Sequence, residues 1–136
     1  MLRAAEQAAA AIDPNVKVVA VTVLTSLDDG DLEAVGQRGP AADQVVRLAA
    51  LAQHCGLDGV VCSAWEIGSI RKALGREFLL VVPGIRPAGD DPADQRRVMT
   101  PKQARDAGAD ILVIGRPITA ARDPAEAARA IAQSLD

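Results

Sequence analysis

The chain has 136 residues, 49% of them hydrophobic and 24% charged, which is enough for one globular domain spanning residues 1–136, or part of one, and too little for two. Its net charge of −3 argues against a nucleic-acid binder, so any anion must be met by a local cluster of cations. Cys55 and Cys62 lack metal-ligand spacing and flank an apolar strand pattern, so they read as small core residues in a reducing compartment rather than as a disulfide.

Residues 2–12 (LRAAEQAAAAI) favour a helix that Asp13-Pro14-Asn15 ends, because a residue before proline is pushed out of the helical region. Glu6 and Gln7 interrupt this alanine-rich stretch, unlike the continuous apolar region of a signal peptide, and no run approaches membrane-spanning length. The expectation is a soluble, cytoplasmic protein with no membrane partner.

Residues 16–24 (VKVVAVTVL) are rich in β-branched residues with little polar alternation, the pattern of a strand buried on both faces. Asp28, Asp29 and Asp31 can cap a short helical turn through Leu32 and Val35 before Gly36 and Gly39-Pro40 break it. Over residues 42–55, Val45, Val46, Leu48, Ala49, Leu51 and Ala52 recur at helical spacing, with Gly56 as the stop.

The alternation repeats. A strand at 59–62 precedes a helix through Trp65, Ile67, Ile70 and Leu74, with Trp65 expected to pack inside; a strand at 78–82 precedes a long loop and a helix at 101–107. A last strand at 111–114 leads through Gly115-Arg116 to a helix opened by Asp123-Pro124 and running to about Leu135. Buried strands alternating with helices predict an α/β fold with parallel pairing. Two architectures fit, a doubly wound open sheet or part of a (β/α)₈ TIM barrel. About four βα units are present where a closed barrel takes eight in roughly 250 residues, and the chain opens inside a helix. It therefore reads as half of a barrel.

In either architecture function gathers at the carboxyl ends of the strands. Thr25-Ser26, Ser63, Pro83-Gly84 with Arg86, and Gly115-Arg116 fall there. The segment 81–100 (VVPGIRPAGDDPADQRRVMT) runs from a strand through a Pro-Gly break into a polar loop carrying Arg86, Gln95, Arg96 and Arg97. Glycine lets backbone approach a ligand, and arginine offers a planar fork of donors suited to phosphate. An ordinary solvated loop would also be charged, but a long structureless loop in a compact domain more often binds something. Gly and Arg at each of the last two strand ends favour a phosphate site. Asp90, Asp91 and Asp94 resemble a metal cluster only superficially; His54, the one histidine, has no catalytic partner in sequence, and Phe78 reads as a packing residue.

VTVLTS, LAALAQHCGLDGVVCSA, PGIRP followed by DQRRVMTP, and IGRPIT, in this order, resemble the C-terminal half of bacterial orotidine 5′-phosphate decarboxylase over nearly the whole chain. The resemblance implies that Thr25 contacts the pyrimidine and Pro83 packs near the base. It also implies that Arg86 and Gln95 belong to the loop that closes over the nucleotide, and that Gly115 and Arg116 hold the 5′-phosphate. A cofactor-free carboxy-lyase of pyrimidine biosynthesis acting on a nucleotide monophosphate (OMP, giving UMP) is implied, with neither nucleic acid nor metal. The family's catalytic Asp-x-Lys-x-x-Asp array is missing from this sequence. Lys17 stands at the wrong end of its strand, and Lys72 and Lys102 fall in helices as solvated charges. No catalytic residue is therefore assigned, and the isolated chain is expected to be inactive. A homodimer, or association with a missing N-terminal half, is the expected assembly; the competing function is a non-catalytic, phosphate-binding half-barrel or interaction module that self-associates.

Overall fold

A computed structural model describes residues 1–37, 39–87 and 99–135. Strands β1 (Val19–Val21), β2 (Gly59–Val61), β3 (Leu79–Val82) and β4 (Ile111–Leu112) form one sheet in the order β1-β2-β3-β4, every pair parallel. Spatial order equals chain order, as in a barrel wall. A doubly wound sheet would reverse direction at a switch point, and this one does not.

Around the sheet lie α1 (Leu2–Ile12), α2 (Asp29–Ala34), α3 (Ala41–His54), α4 (Ile67–Leu74), α5 (Pro101–Ala107), α6 (Arg116–Thr119) and α7 (Pro124–Gln133), with a 3₁₀ turn at Ala64–Glu66 before α4. Asp28 caps α2 as expected, accepting from the Asp31 amide while Asp31 accepts from the Asp28 amide. Thr100 and Gln103 form the same reciprocal box at the start of α5.

Three expectations need correcting. The nine-residue run 16–24 pairs as a strand only at Val19–Val21, because β-branched composition reports burial rather than the extent of pairing. Trp65 is 60% exposed: the 3₁₀ turn buries Ala64 and Glu66 and leaves the indole outside. The four-residue helix α6 was not foreseen; Arg116-Pro117 opens it, with proline tolerated in a first turn whose amides lack helical partners.

One face of the sheet is the core. Val60, Leu80 and Val82 are fully buried together with Val45, Ala49 and Ala52 of α3, Ile67 and Ile70 of α4, and Ala104 of α5. Cys62 and Phe78 are buried in the same cluster and Cys55 packs against it, in keeping with their reading as packing residues. Burying side chains of this size contributes about 1.5–3 kcal/mol each, so this layer is the main source of stability. Strands β2 and β3 approach so closely at Gly59 that a Cβ there would lie 2.2 Å from the carbonyl oxygen of Leu79. Only glycine fits.

The amino-terminal end of the sheet is tied by a device used twice. After α3 and after α5 the chain turns at Gly56 (φ 88°) and Gly108 (φ 111°), and two residues later comes an aspartate. Asp58 Oδ2 accepts the Val18 amide at 2.8 Å, and Asp110 Oδ2 accepts the Leu80 amide at 2.7 Å. Each carboxylate also holds a cation, Lys17 for Asp58 and Arg71 for Asp110. Arg71 donates further to the carbonyls of Gly75, Arg76, Phe78 and Gly108, joining α4, β3 and β4 through one side chain. The Val18 amide, followed by the Lys17 ammonium, holds the Asp58 carboxyl below its ordinary value.

Candidate functional site at the carboxyl ends of the strands

Because all four strands run the same way, the segments that follow them emerge on one side of the sheet. After β1 the chain turns at Thr25-Ser26, where the Leu27 amide donates to the Leu24 carbonyl at 3.0 Å, and Thr25 is half-buried. After β2, Ser63 is fully buried and its Oγ accepts the Trp65 amide at 3.2 Å, starting the 3₁₀ turn. After β3 come half-buried Pro83 and buried Gly84, whose φ of 76° explains a glycine there.

Ile85 then pairs with Met99 in an isolated parallel bridge, and the Arg86 amide donates to the Met99 carbonyl at 3.0 Å. The residues on either side of the segment 88–98 are thus held together at its root. Arg86 lies at that root and is only 8% exposed, with Nη1 donating to the Ile85 carbonyl at 2.9 Å. Burial of a guanidinium is costly unless its donors are satisfied, and the Ile85 carbonyl satisfies one of them. Gln95, with Arg96, Arg97 and the acids Asp90, Asp91 and Asp94, lies outside the described residues.

After β4, Gly115 caps α6 and its carbonyl accepts the amides of Ile118 (2.8 Å) and Thr119 (3.0 Å). Gly115 and Arg116 are exposed, and among the described residues no heavy atom beyond Gly115's own chain neighbours and helix backbone lies within 4 Å of where a Gly115 Cβ would be. Thr25, Pro83, Arg86, Gly115 and Arg116 therefore share the carboxyl side of the sheet, drawn from the ends of β1, β3 and β4. Lys17 lies at the opposite end, held by Asp58 at 2.9 Å, and Lys72 and Lys102 are exposed on helices. Lys102 stands in the first turn of α5, three residues beyond Met99.

Sequence reasoning passed over Glu66, which is 3% exposed just beyond the end of β2. A glutamate in a stretch read as an amphipathic helix gave no sign of burial; the short 3₁₀ turn that directs it inward is a tertiary outcome. It lines an open cleft of about 730 Å³ with Leu27, Asp28, Pro40 and Trp65.

Four parallel βα units in chain order, with polar and cationic residues at the carboxyl ends, define half of a (β/α)₈-barrel protein. The model of the Orotidine 5′-phosphate decarboxylase / HUMPS family matches residues 1–131, and the chain belongs to that family. It is 56% identical over 136 residues to an orotidine 5′-phosphate decarboxylase of Sodalis glossinidius, and 58% identical over 130 residues to one of Novosphingobium aromaticivorans. These alignments cover 99% and 96% of this chain but 54% and 58% of the relatives, so the chain spans little more than half their length. Among solved structures it is similar to orotidine 5′-phosphate decarboxylase from Lactobacillus acidophilus, with a TM-score of 0.83 and 40% identity, over 100% of this chain and 58% of that one. An uncharacterized conserved protein from Geobacillus kaustophilus gives 0.79 and 35%.

Proposed function

We propose that this chain is the substrate-holding half of an orotidine 5′-phosphate decarboxylase, and that it grips the nucleotide without transforming it. One observation carries the reading: Thr25, Pro83, Arg86, Gly115 and Arg116 fall on the carboxyl side of a single parallel sheet, in a chain belonging to this family. In this reading Gly115 and Arg116 receive the 5′-phosphate, while Thr25 and Pro83 border the pyrimidine. Arg86 supplies positive charge at the root of the segment that carries Gln95. Energy from the remote phosphate then stabilises the closed, water-poor site in which a carbanion-like transition state must form. No cofactor takes part.

The chemical step belongs to residues this chain does not carry. No Asp-x-Lys-x-x-Asp array is present in the sequence, Lys17 is held by Asp58 at the opposite end of the sheet, and Lys72 and Lys102 are exposed on helices. Without the lysine of that array, the chain lacks the donor that would protonate the carbanion left when CO₂ departs. The purified chain should bind uridine 5′-phosphate and show no turnover of orotidine 5′-phosphate; decarboxylation by the chain alone would overturn this assignment. Mixing with a polypeptide that supplies the preceding strands and their Asp-x-Lys-x-x-Asp array should restore activity. Arg116→Ala should weaken uridine 5′-phosphate binding by about tenfold or more, since a charge-assisted hydrogen bond contributes roughly 1.5–3 kcal/mol. Equal affinity of the two chains would remove Arg116 from the site.

A further inference from the structure

We propose that Asp29 is a positioning residue of the nucleotide site: by bonding to the start of α3 it fixes the turn that carries Thr25. This rests on the assignment of Thr25 to the pyrimidine given above, and adds what keeps Thr25 in place. After β1 the chain makes a long excursion through Thr25 and α2 before α3 begins at Ala41. Between the buried Val23 and the buried Ala41, Leu32 is the one buried residue among those described, and Thr25 and Leu27 are half-buried. Ordering a backbone costs conformational entropy, and one buried leucine offsets only a small part of it over so many residues. Polar fastenings therefore decide where the turn sits.

Those fastenings follow one another along the chain. The Leu27 amide closes the turn on the Leu24 carbonyl at 3.0 Å, with Thr25 and Ser26 at its corner, and Asp28 caps α2. The next residue reaches across the excursion: Asp29 Oδ1 accepts the Ala41 amide at 2.7 Å, from twelve residues upstream. Ala41 is the first residue of α3, and the residue before it, Pro40, makes no side-chain cap. The first amides of a helix lack partners within it, so Asp29 serves α3 as a cap supplied from a distance.

Of the two ends of this bond, α3 is the fixed one, because Ala41, Val45, Ala49 and Ala52 lock it into the core. Thr25 is thereby held from both directions. On the strand side the Thr22 amide donates to the Val61 carbonyl at 3.1 Å, and on the helix side Asp29 is bonded to Ala41. Charge and fastening can be told apart by sign. Loss of a negative charge by itself strengthens binding of an anion, whereas loss of the fastening weakens it. Asparagine removes the charge and keeps the Oδ1 acceptor; alanine removes both.

NMR titrations of the chain with uridine 5′-phosphate and with ribose 5-phosphate, which lacks the base, test this. Asp29→Ala should weaken uridine 5′-phosphate binding about fivefold and leave ribose 5-phosphate binding unchanged, and Asp29→Asn should recover most of the lost affinity. Without ligand, hydrogen exchange of the Leu27 amide should quicken about fivefold in Asp29→Ala and return toward the parent rate in Asp29→Asn. The Leu80 amide, bonded to Asp110 at the other end of the sheet, should exchange at the parent rate in both variants. An unchanged Leu27 rate, equal losses for the two ligands, or an Asp29→Ala chain that no longer folds would each overturn the proposal. The exchange measurement decides the fastening even for a chain that binds neither ligand. Faster Leu27 exchange in a chain whose parent binds the two ligands equally would keep Asp29 as the fastener and remove Thr25 from the base, so the two readings fail separately.

Discussion

At the amino-terminal end of the sheet, Asp58 and Asp110 each draw in a strand amide and a cation, and Arg71 gathers four carbonyls besides. At the carboxyl end the chain turns at Thr25, Pro83-Gly84 and Gly115, leaving Gly115 and Arg116 exposed. The first end spends its polar groups on the protein itself; the second holds polar groups where a ligand can reach them. Barrels generally divide their labour this way, with stability at the bottom and chemistry at the top. Substitutions at the two ends should therefore separate into those that unfold the chain and those that leave it folded.

Arg71→Ala should have the largest effect. It strips the Asp110 carboxylate of its cation and several carbonyls of a donor, and should cost about 3–5 kcal/mol, read as a lower urea midpoint. Gly59→Ala follows, at about 3 kcal/mol, because the added methyl meets the Leu79 backbone rather than a side chain that could swing aside. If it is as stable as the parent, the β2–β3 contact is looser than described.

Asp58→Asn should cost about 1 kcal/mol at neutral pH. The folded carboxyl lies below its ordinary value of 3.8, so its stabilising contribution is present above that pH and is lost as the pH falls through the folded value. The gap between parent and variant should accordingly close below about pH 4, and a gap that persists there would exclude Asp58 as its electrostatic source. Arg116→Ala, at the opposite end, should move the urea midpoint by less than about 0.5 kcal/mol while it lowers phosphate affinity. A large loss of stability would mean that Arg116 belongs to the scaffold.

The class of fold was legible because apolar β-branched runs and helical periodicities alternate without interruption, and because turn glycines such as Gly56 stand where helices stop. The spatial order β1-β2-β3-β4 was not legible from period alone, which admits a doubly wound sheet equally well, but followed from the count of βα units and the family resemblance. Strand-end residues were legible by type: Pro83-Gly84 and Gly115 break strands for reasons that are local. Arg71 was invisible as a hub because its partners Gly108 and Asp110 lie 37 and 39 residues away, and a lone arginine in an amphipathic helix reads as solvent-facing. Trp65 left its expected place inside, and Glu66, which had drawn no expectation, was buried instead, for a similar reason, a 3₁₀ turn set by packing.

The glycine-then-aspartate latch occurs once for β1 and β2 and once for β3 and β4, each time reaching from the start of the later strand to the amide of the earlier one. Each two-strand module thus brings its own fastening, and nothing in the latch of one depends on the other. Exchange of parts between related barrels is therefore least disruptive when whole pairs of strands are moved, with the join falling between β2 and α4, where Arg71 travels with the pair it secures.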